Sequence, residues 1–134
     1  NKSVPLLTEF LIMDTTRSQF LGNTLLPPLL SKLSRQIFPL MTLNSESGEY
    51  DLVSCAVSFD EAKQSFIETF DRLITNRDRV IQCIIISQSL MSREATELAS
   101  LLSVKFDQVS ISVQDMAPLS SWYIGNRGLS IAFL

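Results

Sequence analysis

Residues 10–18 read FLIMDTTRS, and the interpretation of the fold begins with this stretch. The apolar residues from 6 to 13 are nearly continuous, which is typical of a strand covered on both faces of a sheet. The run ends at Asp14, and hydroxyl side chains follow two and four residues later, as Thr16 and Ser18. We therefore predict a buried first strand that ends in a polar turn.

The composition bounds the class of protein. The chain has 134 residues, which fit one domain, and 46% of them are apolar, which is ample for a hydrophobic core. A formal charge of −3, with dispersed basic residues, gives no electrostatic reason to bind nucleic acid or an anionic membrane. No apolar run approaches the roughly 20 residues of a membrane-spanning helix. The first residue is Asn1, so we expect residues 1–134 to be a single domain of a longer protein.

Histidine and cysteine usage narrows the chemistry. The chain contains no histidine, which removes the commonest general base and the commonest zinc ligand. Its two cysteines, Cys55 and Cys83, lie within apolar, strand-like runs. We predict that both are buried free thiols, because cysteine packs as a small hydrophobic residue. Reduced cysteines favour an intracellular location, in the cytoplasm or nucleus.

Hydrophobic periodicity and turn residues divide the chain into alternating strands and helices. Strands are predicted over residues 6–13, 40–43, 52–57, 80–86, 109–113 and 129–134. Helices are predicted to begin near residues 27, 58, 92 and 118. The strands on either side of the turn at residues 44–48 are expected to form a hairpin.

The helix that follows Ser58 has the most complete local signature. Ser58 and Glu61 form an S-x-x-E capping box, in which each side chain accepts a hydrogen bond from an N–H group near the other residue. Apolar side chains then recur at helical spacing, and they predict the side of the helix that faces the core. These residues are Phe59, Ala62, Phe66, Ile67, Phe70, Leu73 and Ile74.

This order of elements predicts an α/β fold with three layers. Strands that alternate with helices over short connections usually pair in parallel, because each helix carries the chain back across the sheet. We therefore expect a mostly parallel central sheet of about six strands, with helices on both faces, in a Rossmann-like arrangement. Residues 80–86, VIQCIII, are apolar on both faces and predict a central strand of this sheet.

The polar turn after the first strand contains a possible metal-binding motif. Asp14, Thr16 and Ser18 spell D-x-T-x-S, and one carboxylate with two hydroxyls supplies oxygen ligands suited to magnesium. In open α/β sheets, ligands bind at the carboxyl ends of strands. The motif and the order of elements resemble a von Willebrand A-type domain, whose metal-dependent adhesion site opens with D-x-[ST]-x-S. The resemblance implies that these three residues would be metal ligands.

The chain departs from that family at the other metal ligands. The family's site also uses an aspartate after the central strand, whereas Ser87, Gln88 and Ser89 follow that strand here. A divalent cation needs about six oxygen ligands, so a carboxylate and two hydroxyls are too few. We therefore expect the motif residues to hydrogen-bond the local backbone, and we expect no cofactor.

Two other interpretations remain open. One is a metal-dependent ligand-binding module of the same von Willebrand A type, with magnesium at the D-x-T-x-S motif. The other is an actin-like or RecA-like nucleotide-binding domain that has lost its motifs. Thr15 and Thr16 stand where the actin-like phosphate loop needs glycine, and the RecA-like motif G-x-x-x-x-G-K-[ST] is absent from the sequence.

The sequence predicts binding rather than catalysis. No G-x-S-x-G motif is present and no histidine could activate a serine, so we expect the protein not to be an enzyme. Leu90 and Met91 are expected to be exposed on the loop after the central strand, where they would suit a partner surface. Trp122 and Tyr123 are typical interface anchors. These features predict a protein–protein interaction domain, a scaffold or subunit of a larger assembly.

Overall fold

The computed structural model of the chain describes residues 8–13, 37–43, 46–75, 80–116 and 127–134. Within these residues the elements are, in chain order, β1 (Thr8–Met13), β2 (Phe38–Leu43), β3 (Tyr50–Ala56), α1 (Phe59–Thr75), β4 (Cys83–Ser89), α2 (Ser92–Lys105), β5 (Ser110–Asp115) and β6 (Gly128–Phe133). Each predicted strand overlaps an observed strand, and the helices predicted near residues 58 and 92 are present. The helices predicted near residues 27 and 118 lie outside the described residues.

The six strands form one mixed sheet in the order β3-β2-β1-β6-β4-β5. Four of the five neighbouring pairs are antiparallel, and the pair of β4 and β5 is parallel. The prediction of a mostly parallel, Rossmann-like sheet is therefore wrong. Strand β6, the last in the chain, lies between β1 and β4 and pairs antiparallel with both.

The error comes from equating neighbours in the chain with neighbours in the sheet. Helix α1 connects β3, at one edge of the sheet, to β4 near the opposite edge, so these two strands do not pair. Among the described elements, β4, α2 and β5 form the one crossover unit that gives parallel pairing. The predicted hairpin of β2 and β3 is confirmed, and Gly48 in its turn has a φ of 73°, which glycine adopts without strain.

Both described helices pack on the same face of the sheet. One cluster of buried side chains joins Phe66 and Phe70 of α1 and Leu98 of α2 to Ile84 and Phe133 of the strands. The ring centre of Phe70 lies 4.6 Å from that of Phe133 and 5.4 Å from that of Phe66. Such aromatic pairs add about 0.5–1.5 kcal/mol each beyond the burial of their area. For the described helices, the expected placement on both faces is thus wrong.

The start of α1 confirms the capping box. The N–H of Glu61 donates to Ser58 Oγ at 3.2 Å, and the N–H of Val57 donates to Glu61 Oε2 at 3.2 Å. The second donor is therefore one residue earlier than the usual arrangement, in which the capping serine supplies it. The predicted apolar stripe is also confirmed, since Phe66 and Phe70 are fully buried.

The opposite face of the sheet is closed at β1 and more open at β4. Leu11, Met13 and Met41 on that face are each 1% exposed or less, as predicted for a first strand covered on both faces. On β4, Ile84 is buried under the helices, whereas the next residue, Ile85, is 37% exposed on the other face. Strand β4 lies next to the edge strand β5, and its second face is only partly covered at Ile85.

The two cysteines are free thiols, as predicted. Their expected burial is wrong for Cys55, which is exposed on β3, while Cys83 on β4 is partly buried. Strand β3 forms an edge of the sheet, and this position explains why an apolar run there leaves a thiol accessible.

Candidate functional site

An open cleft of about 600 Å³ lies where β4 ends and α2 begins. We call it the β4 cleft, and it is lined by Gln88, Leu90, Ser92, Arg93, Glu94 and Arg127. Five of these residues come from the end of β4, the loop and the first turn of α2. Arg127 directly precedes β6. Because β6 pairs with β4, the start of β6 lies beside the end of β4, and the Arg127 side chain reaches the cleft.

Gln88 joins three elements at the base of the β4 cleft. Its Oε1 accepts a hydrogen bond from the N–H of Met91 at 2.9 Å, and its Nε2 donates to Asp115 Oδ1 at 2.8 Å. Its backbone carbonyl accepts from the N–H of Met116 at 2.8 Å. One amide residue therefore fixes the end of β4, the end of β5 and the start of α2 relative to one another.

Helix α2 begins near residue 92, as predicted, but without a side-chain cap. Ser92 is the first helical residue, and Met91 precedes it as the N-cap with no side-chain cap hydrogen bond. The N–H groups of a helix's first turn lack partners within the helix, and the helix dipole makes this end weakly positive. The start of α2 therefore favours a negatively charged or hydrogen-bond-accepting group in the β4 cleft.

Arg127 connects the start of β6 to the loop and to α2. Its Nη1 donates to the backbone carbonyl of Leu90 at 2.7 Å, and its Nη2 donates to Glu94 Oε2 at 3.2 Å. The side chains of Arg127 and Glu94 are only 22% and 13% exposed, so this ion pair is partly shielded from water. Hydrogen bonds to charged groups contribute about 1.5–3 kcal/mol each, which makes Arg127 the main brace of the loop.

Leu90 presents an apolar side chain at the mouth of the β4 cleft. Its φ is 53°, in the left-handed region, and the residue is 70% exposed. Residues other than glycine rarely adopt this conformation unless surrounding contacts impose it. The hydrogen bond from Arg127 to the Leu90 carbonyl is one such contact.

The described residues that line the β4 cleft carry two positive charges and one negative charge, and the carboxylate of Asp115 lies next to them on Gln88. Two guanidinium groups, from Arg93 and Arg127, face one carboxylate, from Glu94. The side chain of Arg93 is 82% exposed, and its ion pairs to described residues are long, at 3.8 Å to Glu94 and 3.9 Å to Glu97. An anion that carries an apolar chain would find both a positive end and the Leu90 side chain here.

A second groove, of about 530 Å³, runs between α1 and α2. Its half-buried cation, Lys63, already pairs with Asp60 at 3.2 Å and with Glu97 at 3.6 Å. The groove lies along the two helices rather than at a helix start, so it lacks the positive end that the β4 cleft has.

The structure places only part of the predicted site residues. Leu90 is exposed as expected, whereas Met91 is fully buried and unavailable to a partner. The predicted metal ligands and interface anchors lie outside the described residues; they are Asp14, Thr16, Ser18, Trp122 and Tyr123. Within the described ranges, no three histidine, cysteine, aspartate or glutamate side chains are grouped so that they could hold a metal ion.

Sequence reasoning missed the contribution of Arg127 to this site. The sequence places it in a Gly-Asn-Arg-Gly turn, which favours an interpretation as a connection between elements. The signal that could have revealed it is an arginine directly before a strand, but its partner loop lies 37 residues away. In the described part of the chain, neither helix is long and apolar enough to cross a bilayer.

No known protein family and no curated protein match this chain by sequence. Solved structures match its fold over nearly its whole length. A stearic acid-binding protein from Eubacterium ventriosum superimposes with a TM-score of 0.74, covering 95% of this chain and 44% of that chain at 13% identity. The fatty acid kinase B3 protein of Streptococcus pneumoniae, loaded with linoleic acid, gives 0.71 over 94% and 44%, at 18% identity.

A DegV family protein from Corynebacterium glutamicum also matches, with a TM-score of 0.73 over 96% of this chain and 47% of that chain, at 15% identity. The chain thus spans less than half the length of each of these three structures. At such identities the likeness shows the fold alone. The fold of this chain is that of a part of DegV-type proteins.

This finding corrects two expectations. The resemblance to a von Willebrand A-type domain is wrong, because the mixed, mostly antiparallel sheet matches DegV-type structures. The order of elements along the chain carried that resemblance, and it does not determine which strands pair. The expected role as a protein-interaction scaffold is wrong as well, because the matching solved structures include proteins described as loaded with linoleic or heptadecanoic acid or as binding stearic acid.

Proposed function

We propose that this chain forms one part of a fatty-acid-binding protein. The observation that supports this most strongly is its fold, which matches structures that contain linoleic acid or heptadecanoic acid over 94% of the chain. Those proteins are more than twice as long, because this chain covers 44% of each. The proposal therefore includes a further domain that completes the surface around the acyl chain.

Within this proposal, the β4 cleft contacts the carboxylate end of the fatty acid. A fatty acid needs donors or positive charge for its carboxylate and apolar surface for its chain. The β4 cleft offers the two guanidinium groups and the start of α2 for the first, and the exposed Leu90 for the second. Because Glu94 already pairs with Arg127, the more exposed Arg93 is the group freer to meet the ligand.

The proposed role is ligand binding, without catalysis and without a cofactor. Carrying a fatty acid requires shape, apolar area and a partner for one carboxylate, and it requires no reactive side chain. We also propose an intracellular location, which the two free cysteines favour.

The Arg127 brace provides a test of this proposal. In the intact protein, Arg127→Gln should weaken binding of a fluorescent long-chain fatty acid by about tenfold or more, which corresponds to about 1.4 kcal/mol. The change removes the ion pair to Glu94 and loosens the loop that presents Leu90. Titration followed by fluorescence gives the dissociation constant, and circular dichroism shows whether the variant is folded.

Arg72→Gln is the matched control. Arg72 is an exposed cation on α1, away from the β4 cleft, so its removal should leave the dissociation constant unchanged. Arg127→Lys should give an intermediate loss, because lysine keeps the charge but not the planar fork that reaches two acceptors. Equal affinity of the wild type, R127Q and R72Q would remove the β4 cleft from the proposal, and absence of binding in all three would refute the function itself.

A further inference from the structure

Strand β5 closes the sheet at one edge, and its hydrogen bonds show which backbone groups face inward. The N–H of Ser110 donates to the carbonyl of Gln82 at 3.1 Å, and the N–H of Met116 donates to the carbonyl of Gln88 at 2.8 Å. Successive residues of a strand direct their backbone groups to opposite sides. The residues of odd number in β5 therefore turn their N–H and C=O groups away from β4.

These outward groups belong to Ile111, Val113 and Asp115, and no strand in the described ranges pairs with them. Natural edge strands are usually protected by proline, by charged residues such as lysine or by a bulge. Strand β5 has no proline, lysine or arginine, and residues 110–114 are uncharged. Its single charge, on Asp115, is engaged by Gln88 Nε2 at 2.8 Å.

The opposite edge, β3, shows the protection that β5 lacks. The pairing of β2 with β3 shifts register between Leu40 and Met41, which is the mark of a bulge. Glu49 and Asp51 add two negative charges at the start of that edge strand. The bulge and the negative charges therefore oppose the pairing of a second chain at β3, whereas residues 110–114 of β5 have neither feature.

Helix α2 packs on β5 and carries a stripe of small side chains. Glu97 and Lys105 of α2 form ion pairs with Lys63 and Asp71 of α1, at 3.6 Å and 3.7 Å, and so mark the side of α2 that faces α1. Along a stripe of α2 that carries neither of these ion pairs, small side chains recur at spacings of four, three and four residues. They belong to Ser92, Thr96, Ala99 and Ser103.

We propose that two copies of this chain associate through β5, which pairs antiparallel with β5 of the second copy. The register that suits the sequence places the two-fold axis at Ser112. Ile111 then exchanges backbone hydrogen bonds with Val113 of the second copy, and Val113 does so with Ile111 of the second copy. Ser110 faces Gln114 of the second copy, and Asp115 lies beyond the paired region. The result is an isologous dimer with one continuous sheet.

A second copy is the occupant that the chemistry favours. An edge of free N–H and C=O groups accepts a strand, and an uncharged strand opposes no like charges when it pairs with itself. In the proposed register apolar residues face apolar residues across the two-fold axis. This dimer goes beyond the proposed lipid binding and does not depend on it, because the β4 cleft residues take no part in the pairing.

Charge variants at Ser112 test the proposal in the intact protein. Sedimentation velocity should show a wild-type dimer that dissociates on dilution. Residues opposite each other at a non-hydrogen-bonded position have close side chains, so Ser112→Lys and Ser112→Glu should each yield monomers of half the wild-type mass. An equimolar mixture of the two variants should sediment as a dimer again, because opposite charges then meet at the axis.

Proline at Val113 is an independent test. Val113→Pro removes an outward N–H that makes no hydrogen bond to the described residues, so the variant should stay folded and lose the dimer. Val113→Thr keeps the N–H and a β-branched side chain, and it should keep the dimer. A wild type that sediments as a monomer at every concentration overturns the proposal, and so does a dimer that survives both S112K and V113P.

Discussion

Leu90 holds a backbone conformation that leucine rarely adopts, and its side chain is exposed beside a partly buried ion pair. A left-handed conformation costs a residue other than glycine about 1–2 kcal/mol. The contacts of Arg127 with the Leu90 carbonyl and with Glu94 hold the loop in place against this cost. Strain of this kind tends to collect at binding sites, which agrees with a ligand-contacting role for Leu90.

Two substitutions at Leu90 should separate strain from ligand contact. Leu90→Gly should raise the free energy of unfolding by roughly 0.5–1 kcal/mol, because glycine adopts a φ of 53° without strain. The same variant should bind a fatty acid more weakly, because it lacks the apolar side chain at the cleft. Leu90→Ala should show the same loss of affinity without the gain in stability. Urea denaturation and ligand titration measure the two effects, and a destabilised L90G variant would contradict this interpretation.

Single residues also show how far the sequence could predict the site. The loop after β4 was predicted in part: the sequence ends the strand at residue 86, whereas β4 continues to Ser89, and Leu90 is exposed as expected. The burial of Met91 could not be predicted from the sequence, because it depends on how the side chain packs into the main core cluster beneath the helices. Arg127 was also beyond prediction, since its contact spans 37 residues and exists only because β6 pairs with β4.

At the scale of elements, local signals were reliable and pairing was not. The capping box and the apolar stripe of α1 act within one helix, so the sequence predicts them correctly. Each strand was located to within a few residues by its run of apolar side chains. Which strands pair is decided by the whole sheet, where the last strand enters between β1 and β4. An alternating order of strands and helices carries no information about such an insertion.

The cap of α1 gives a prediction at this scale. Ser58→Ala should lower the free energy of unfolding by about 1 kcal/mol, because the N–H of Glu61 loses its side-chain acceptor. Ser100→Ala, at an exposed position within α2, is the control and should change stability by less than about 0.5 kcal/mol. Chemical denaturation of the wild type and of both variants measures the two effects. If S58A is as stable as the wild type, the Ser58 hydroxyl does not cap α1.

At the scale of the whole molecule, one face of the sheet is covered by the two described helices, and two regions beside it are accessible. The helices bury the face that holds the phenylalanine cluster, while the β4 cleft and the edge of β5 remain accessible. The chain spans less than half the length of the fatty-acid-binding structures that it matches. Under the proposed function, the chain is one wall of a lipid site, and a further domain of the parent protein covers the acyl chain.

Native mass spectrometry of the intact protein, purified without added lipid, tests that view most directly. We predict a mass that exceeds the polypeptide by one fatty acid per chain, a ligand that is lost on delipidation and is regained when oleic acid is added. A protein that carries no lipid after purification, and that gains no mass when it is mixed with long-chain fatty acids, would contradict the proposed function.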